Sequence, residues 1–77
     1  MNTTKYVVIK DDFELPFIFS HLITHIDFAK RMPGIVVSAG FCHINKKGKF
    51  EVSGKSISLG CSSRPSDAEL LNKFLIG

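Results

Sequence analysis

Tryptophan is absent from this chain of 77 residues, tyrosine occurs once, and there are only two cysteines. Cys42 and Cys61 are too few for the disulfide framework of a small secreted domain, so we expect free thiols packed as small apolar side chains. No apolar run approaches the roughly 18 residues that a transmembrane helix needs. Residues 1–10 also lack the apolar stretch of a signal peptide. A cytoplasmic protein without a membrane span is therefore the expectation.

The sequence motifs of several common chemistries are incomplete. His21 and His25 have the four-residue spacing of a two-histidine metal face, but no second short-spaced pair of ligands accompanies them. Residues 54–56 (Gly-Lys-Ser) are similar to the end of a phosphate-binding loop, but Lys49 stands where that loop needs a glycine. No Gly-x-Ser-x-Gly nucleophile elbow occurs. We therefore expect no catalytic residue, no metal and no cofactor.

The rest of the composition indicates one folded domain over residues 1–77. Hydrophobic residues make up 44% of the chain, and seven of its residues are phenylalanine, which argues against disorder. A chain of this length is near the lower limit at which a core alone stabilises a fold, so a homodimer would help. The net charge of +3 allows an acidic partner without requiring one.

The strongest pattern is a β-hairpin over residues 35–59. Runs of β-branched and aromatic residues flank a polar turn at residues 45–48, in which Gly48 supplies the positive φ. This register predicts three cross-strand pairs: Ile44 with Phe50, Cys42 with Val52, and His43 with Glu51. Farther from the turn the apolar residues change face, so we expect a bulge near Gly40 or Gly54.

A strand and a long helix are predicted before the hairpin. Residues 5–10 have the composition of a strand, and a helix is expected to begin at Pro16 or Ser20 and to continue to Met32. The Pro-Gly pair at residues 33–34 would end it. Helical spacing gathers one apolar face for the core: Leu15, Ile18, Phe19, Leu22, Ile26 and Ala29.

A second helix is predicted at the end of the chain. Its N-cap is either Ser63, or Ser66 with Glu69 completing a capping box. Its apolar face would consist of Leu70, Leu71, Phe74 and Leu75. The resulting β-α-β-β-α order predicts a small α+β domain, in which two helices pack on a three-stranded sheet around the central hairpin. A right-handed crossover would make the first two strands parallel.

A second stripe on the predicted long helix lies opposite its core face. It contains Phe17, His21, Phe28 and Met32. An aromatic and histidine stripe on that side is unusual for a solvated helix face. Either loops cover the stripe, or it binds another protein or a second copy of the chain. Phe17, His21 and Phe28, together with Arg64, are the predicted binding surface.

The hairpin tip offers an alternative in which the chain binds nucleic acid. Positive charge is concentrated there by Lys46, Lys47, Lys49 and Lys55. These lysines could contact phosphates, and Phe41 or Phe50 could stack on bases if exposed. A solvated turn is the ordinary interpretation of such lysines, and Glu51 interrupts the patch.

The loop of residues 60–66 offers a third alternative, an anion-binding or enzymatic site. Its candidate ligands are Ser62, Ser63, Arg64 and Ser66, together with free amides at the start of the helix. Ordinary helix capping, with Arg64 paired to Asp67, explains the same residues. A thiol nucleophile at Cys61 would need His43 as its base.

The run from Gly54 to Leu71 (GKSISLGCSSRPSDAELL), with Val37 to Phe41 before it, resembles a family of small uncharacterised bacterial and prophage proteins. The resemblance implies no activity, substrate or site. It indicates a prophage or mobile-element context, and it implies that residues 54–66 do more than cap a helix. The sequence as a whole favours a small non-enzymatic cytoplasmic interaction module that binds another protein or itself.

Overall fold

An antiparallel sheet of four strands organises the computed structural model, which describes residues 4–77. In chain order the elements are β1 (Thr4–Lys10), β2 (Glu14–Phe19), α1 (His25–Ala29), β3 (Ile35–Ile44), β4 (Phe50–Ser53), β5 (Lys55–Ser56), β6 (Cys61–Ser62) and α2 (Pro65–Leu71), followed by a π-helical turn (Asn72–Ile76). The sheet order is β2-β1-β3-β4, and β5 pairs with β6 in a separate ribbon. The predicted α+β class is confirmed, whereas the three-stranded sheet and the β-α-β-β-α order are wrong.

The residues predicted to open the long helix form the edge strand β2 instead. β2 pairs with β1 in an antiparallel hairpin, and the turn between them contains a hydrogen bond from the amide of Asp11 to the carbonyl of Phe13. A run of aromatic and aliphatic residues suits a strand once a neighbouring strand supplies backbone partners. Pro16 fits because an edge strand tolerates a residue without an amide hydrogen.

Only α1 remains of the predicted long helix. Thr24 is its N-cap, and the Thr24 hydroxyl accepts a hydrogen bond from the amide of Asp27 at 3.2 Å. β2 ends beside the start of β1, with Phe19 opposite Lys5. Residues 20–34 then carry the chain back to the other end of the sheet, where β3 begins opposite Lys10 and runs antiparallel to β1. The predicted parallel orientation of residues 5–10 and the first strand of the hairpin is therefore wrong.

The tip of the central hairpin has the predicted register. Ile44 pairs with Phe50, Cys42 with Val52, and His43 with Glu51, and Gly48 has a φ of 78° in the turn. The predicted bulge near Gly40 or Gly54 is wrong. The register irregularity lies between Val8 and Ile9 of β1 opposite β3, and β4 ends at Ser53. Residues 55–62 then leave the sheet and form the β5–β6 ribbon.

Both faces of the sheet are covered. One face carries the cluster beneath α2, whose buried members are Tyr6, Val8, Cys42, Phe50 and Leu71. The other face lies beneath α1 and the β5–β6 ribbon, and its buried members are Val7, Ile9, Phe19 and Ala39. Because both faces are covered, the residues of β1 from Tyr6 to Ile9 are all buried and all apolar, instead of alternating between apolar and polar.

The helix α2 begins and ends on specific polar contacts. Neither predicted serine cap is used, because Arg64 is the N-cap residue and the carboxylate of Asp67 accepts its backbone N–H at 2.9 Å. After α2, the side-chain oxygen of Asn72 accepts the amide N–H of Phe50 at 2.7 Å. Among the helices of residues 4–77, none is long and apolar enough to cross a membrane.

Candidate interaction surface

The segment around α1 presents apolar side chains to solvent. Leu22 is 83% exposed, Ile23 is 41% exposed and Ile26 is 37% exposed. We call these three residues the α1 patch. Leu22 and Ile23 lie in the loop that follows β2, and Ile26 is the second residue of α1. An open groove of about 690 Å³ lies at the patch and is lined by Leu22, Ile23, Asp27, Phe28, Lys30 and Arg31.

Packed aromatic rings connect α1, which carries part of the α1 patch, to β2. The rings of Phe19 and Phe28 are parallel within 2°, with their centroids 4.4 Å apart. Phe17 and Phe28 form a tilted pair at 6.3 Å. These contacts join α1 to β2 and to the buried cluster beneath it. Phe28 therefore holds α1 on the sheet by ring packing, while the aliphatic side chains of the α1 patch remain exposed.

His25 anchors the start of α1 to the sheet. It is only 4% exposed, and its Nε2 lies 2.8 Å from the carbonyl oxygen of Gly40. Its ring meets those of Phe19 and Phe41 edge to face, with centroids 5.4 Å and 5.6 Å away. Burial lowers the pKa of His25 below its usual range, and the nearby positive charge of Lys5 lowers the pKa further.

The residues predicted from the sequence as a binding surface divide into two groups. Phe17 and Phe28 lie together and are half-buried, and His21 is exposed in the loop before α1. Arg64 lies at the start of α2, whose residues pack on the opposite face of the sheet. The helical stripe that was predicted to join Phe17, His21 and Phe28 does not exist, because Phe17 belongs to β2.

The two-histidine spacing forms no metal face. His25 is buried against Gly40, while His21 lies four residues earlier, outside the helix. Within residues 4–77, no group of three or more histidine, cysteine, aspartate or glutamate side chains is placed to hold a metal ion.

Arg64 is held by two carboxylates. Its Nη2 donates to Glu14 Oε1 at 2.8 Å, and its Nε donates to Asp67 Oδ1 at 2.9 Å. The ion pair with Glu14 raises the pKa of Arg64 above its usual value and lowers the pKa of Glu14. An anion at this loop would have to compete with both carboxylates, and Ser63 Oγ already donates to the carbonyl of Gly54 at 2.9 Å. Ser62 and Ser66 are exposed.

The hairpin lysines are solvent-exposed, but exposed aromatic rings do not accompany them. Lys46, Lys47 and Lys49 surround the turn, and Lys55 follows the far end of β4. Phe50 is only 8% exposed because it belongs to the core beneath α2. Glu51 accepts one hydrogen bond from Asn45 and contacts His43 Nε2 at 3.1 Å. The turn therefore offers point charges without a stacking platform.

The sequence interpretation missed the α1 patch. It placed Leu22 and Ile26 on the core face of a long helix, whereas both are exposed. One local signal could have corrected this, namely the Thr-x-x-Asp pattern at residues 24–27, which is typical of a helix start. A helix that starts at His25 cannot carry the stripe that a helix from Pro16 would carry.

Comparison with protein-family models, with curated proteins and with solved structures finds no match for this chain.

Proposed function

We propose that this chain is a small non-enzymatic interaction module that binds another protein, or a second copy of itself, through the α1 patch. The observation that supports the proposal is the exposure of Leu22, Ile23 and Ile26, the first two of which line an open groove. Apolar side chains grouped in this way, rather than scattered singly, mark interaction sites on small proteins. A prophage context, taken from the resemblance of residues 54–71, belongs to the same proposal.

The rim of the groove also suits a protein partner. Lys30, Arg31 and Asp27 line the groove together with the apolar residues. A polar rim around apolar and aromatic anchors is the usual anatomy of a protein interface, in which arginine is enriched. Phe28 lines the groove as well as stacking on Phe19. A partner side chain that enters the groove would thus meet a surface that packing already holds in place.

The two thiols support a binding role over a catalytic one. Cys42 is fully buried, and burial raises the pKa of its thiol, so the nucleophilic thiolate is disfavoured at neutral pH. Cys61 is half-buried, and its thiol donates a weak hydrogen bond to the carbonyl of Leu59 at 3.7 Å. His43, the base that a thiol nucleophile would need, contacts Glu51 instead.

Site-specific photocrosslinking tests the proposal. A photoreactive amino acid replaces Leu22 in the α1 patch and, as the matched control, Glu69, which is exposed on α2. We expect the probe at residue 22 to give a discrete adduct with one protein, or a dimer adduct, in the cells that produce the chain. Substitution Ile26→Asp should abolish that adduct. Equal adducts from both positions, or none from residue 22, would overturn the proposal.

A second candidate function is nucleic-acid binding at the hairpin tip, which the exposure of Lys46, Lys47 and Lys49 favours. Such binding would rest on phosphate contacts and would therefore fall steeply with salt. The double variant Lys46→Glu/Lys47→Glu should abolish retention on DNA or RNA at low salt. If the native chain shows no retention at low salt, this candidate is excluded.

A further inference from the structure

The helix α1 is attached to the sheet through His25 as well as through the ring of Phe28. A helix of five residues is too short to be stable by itself, so tertiary contacts must hold it. His25 is the only residue of α1 that is buried. Its contact with the Gly40 carbonyl reaches β3, the strand that pairs with β1 in the centre of the sheet. Any change that expels the imidazole therefore loosens the segment that carries the α1 patch.

The surroundings of His25 disfavour a positive charge. Lys5 of β1 and Lys55 of β5 line the same hollow as the imidazole, and the Nζ of Lys5 donates to the carbonyl of Ile23 at 2.9 Å. Four more titratable groups lie on the same segment: His21 before α1, the exposed Asp27 within it, and Lys30 and Arg31 after it.

We propose that His25 is an acid-sensitive latch whose protonation releases residues 20–32 from the sheet while the four strands stay folded. The regulatory meaning of this latch rests on the proposed function, because residues 20–32 carry the α1 patch. A partner that needs the folded patch would then be bound near neutral pH and released in acid.

The direction of the effect follows from linkage. Burial lowers the pKa of His25, Lys5 lowers it further, and the hydrogen bond to Gly40 offsets part of the shift. The released imidazole titrates near its ordinary pKa of about 6.5. The closed state is therefore fully favoured above about pH 6.5 and loses this contribution as the pH falls through that value towards the lower pKa of the closed state.

Amide hydrogen exchange at pH 7.5 and pH 5.0 tests the latch. The amides of Phe28 and Lys30, which donate to the carbonyls of Thr24 and Ile26, should lose protection by up to about 30-fold at pH 5.0 after correction for intrinsic exchange. The amides of β1 and β3 should keep theirs. Variant His25→Gln can still donate to Gly40 without titrating, so it should lose the pH dependence. Variant His21→Gln, the control at an exposed histidine, should retain it.

A direct titration of the His25 imidazole by NMR provides a second measurement that needs no variant. A pKa clearly below about 6.5 is expected. A pKa at or above that value, or protection at Phe28 and Lys30 that does not change with pH, would overturn the latch. The outcome is separable from that of the proposed function, because a latch that opens without any adduct from residue 22 refutes only the binding surface. An adduct from residue 22 that persists unchanged at pH 5.0 refutes only the regulation.

Discussion

The Tyr6 hydroxyl donates a hydrogen bond of 2.5 Å to the carboxylate of Asp67, across a separation of 61 residues. Both side chains are fully buried. Asp67 also accepts the backbone N–H and the Nε–H of Arg64, both at 2.9 Å, and Arg64 continues to Glu14 of β2. The Asp67 carboxylate therefore connects the start of α2 directly to β1 and, through Arg64, to β2. Its burial is tolerated because it accepts three hydrogen bonds.

Removal of this carboxylate should destabilise the fold more than any single surface change. We expect Asp67→Ala to lower the free energy of unfolding by about 3–5 kcal/mol, because it leaves the donors of Tyr6 and Arg64 without their acceptor. Tyr6→Phe, which removes one of the three bonds, should cost about 1.5–3 kcal/mol. Urea denaturation measures both.

Ser66→Ala is the matched control for these variants, since Ser66 is an exposed neighbour of Asp67 that the sequence suggested as a cap. Its effect should stay within about 0.5 kcal/mol. A Ser66→Ala variant less stable than Asp67→Ala would show that the serine caps α2 after all.

Tyr6 should resist ionisation for as long as the chain is folded. Burial raises the pKa of its hydroxyl above the usual value, and the hydrogen bond and negative charge of Asp67 raise it further. Because the pKa in the folded state is the higher one, the contribution of Tyr6 to stability is constant below about pH 10 and is lost as the pH rises above that value. Tyr6 is the only tyrosine and there is no tryptophan, so phenolate absorbance reports this group alone.

At about pH 11 the native chain should show no phenolate, whereas the chain in denaturant should titrate near pH 10. A native chain that ionises at the same pH as the denatured chain would contradict the buried bond to Asp67.

Gly40 should not tolerate a side chain. A Cβ at this position would lie 2.7 Å from the carbonyl oxygen of Ser53 and 3.2 Å from the Cβ of Ser63. Gly40→Ala should therefore force β3 away from the end of β4 and cost about 1–3 kcal/mol. Thermal unfolding measures the effect.

Gly48→Ala is the comparison for Gly40→Ala. Space is open at Gly48 but its φ is +78°, so only backbone strain of about 1–2 kcal/mol is expected. A second readout separates the two variants, because only Gly40→Ala should disturb the NMR signals of His25, whose acceptor is the Gly40 carbonyl.

Mutation of an exposed residue of the α1 patch should leave the stability of the fold almost unchanged, whereas mutation of Phe28 should lower it. Leu22→Asp should change the free energy of unfolding by no more than about 0.5 kcal/mol, because the side chain is already 83% exposed. Phe28→Ala should cost about 2–3 kcal/mol, since it removes the stack on Phe19 and the tilted contact with Phe17. Chemical denaturation distinguishes them. A Leu22→Asp variant that unfolds would place this residue in the core.

The parts of the fold that were predictable from the sequence are those set by local chemistry. β1 is a continuous run of strand formers, and the turn at Gly48 fixes the pairing of Ile44 with Phe50 through loop length alone. The helix α2 begins at Pro65, a residue that suits the first helical position. In each of these cases a few adjacent residues decide the structure without help from the rest of the chain.

The strand β2 was not predictable from spacing, because Leu15, Ile18 and Phe19 fit a helix wheel as well as they fit an edge strand. Pairing with β1 decided the outcome, and that information is not local. The buried contact between Tyr6 and Asp67 was invisible for the same reason. The α1 patch was misassigned as a consequence, since the predicted long helix turned its exposed residues towards the core.

The free edges of the sheet restrict how copies of this chain can join. In β2, Pro16 has no amide hydrogen to offer, and in β4 the Asn72 side chain already occupies the outward N–H of Phe50. Open edges are where folded chains recruit one another into fibrils through backbone pairing. At Pro16 and Phe50, therefore, another copy of the chain finds no free backbone N–H on either edge strand, and this disfavours fibril growth through those positions.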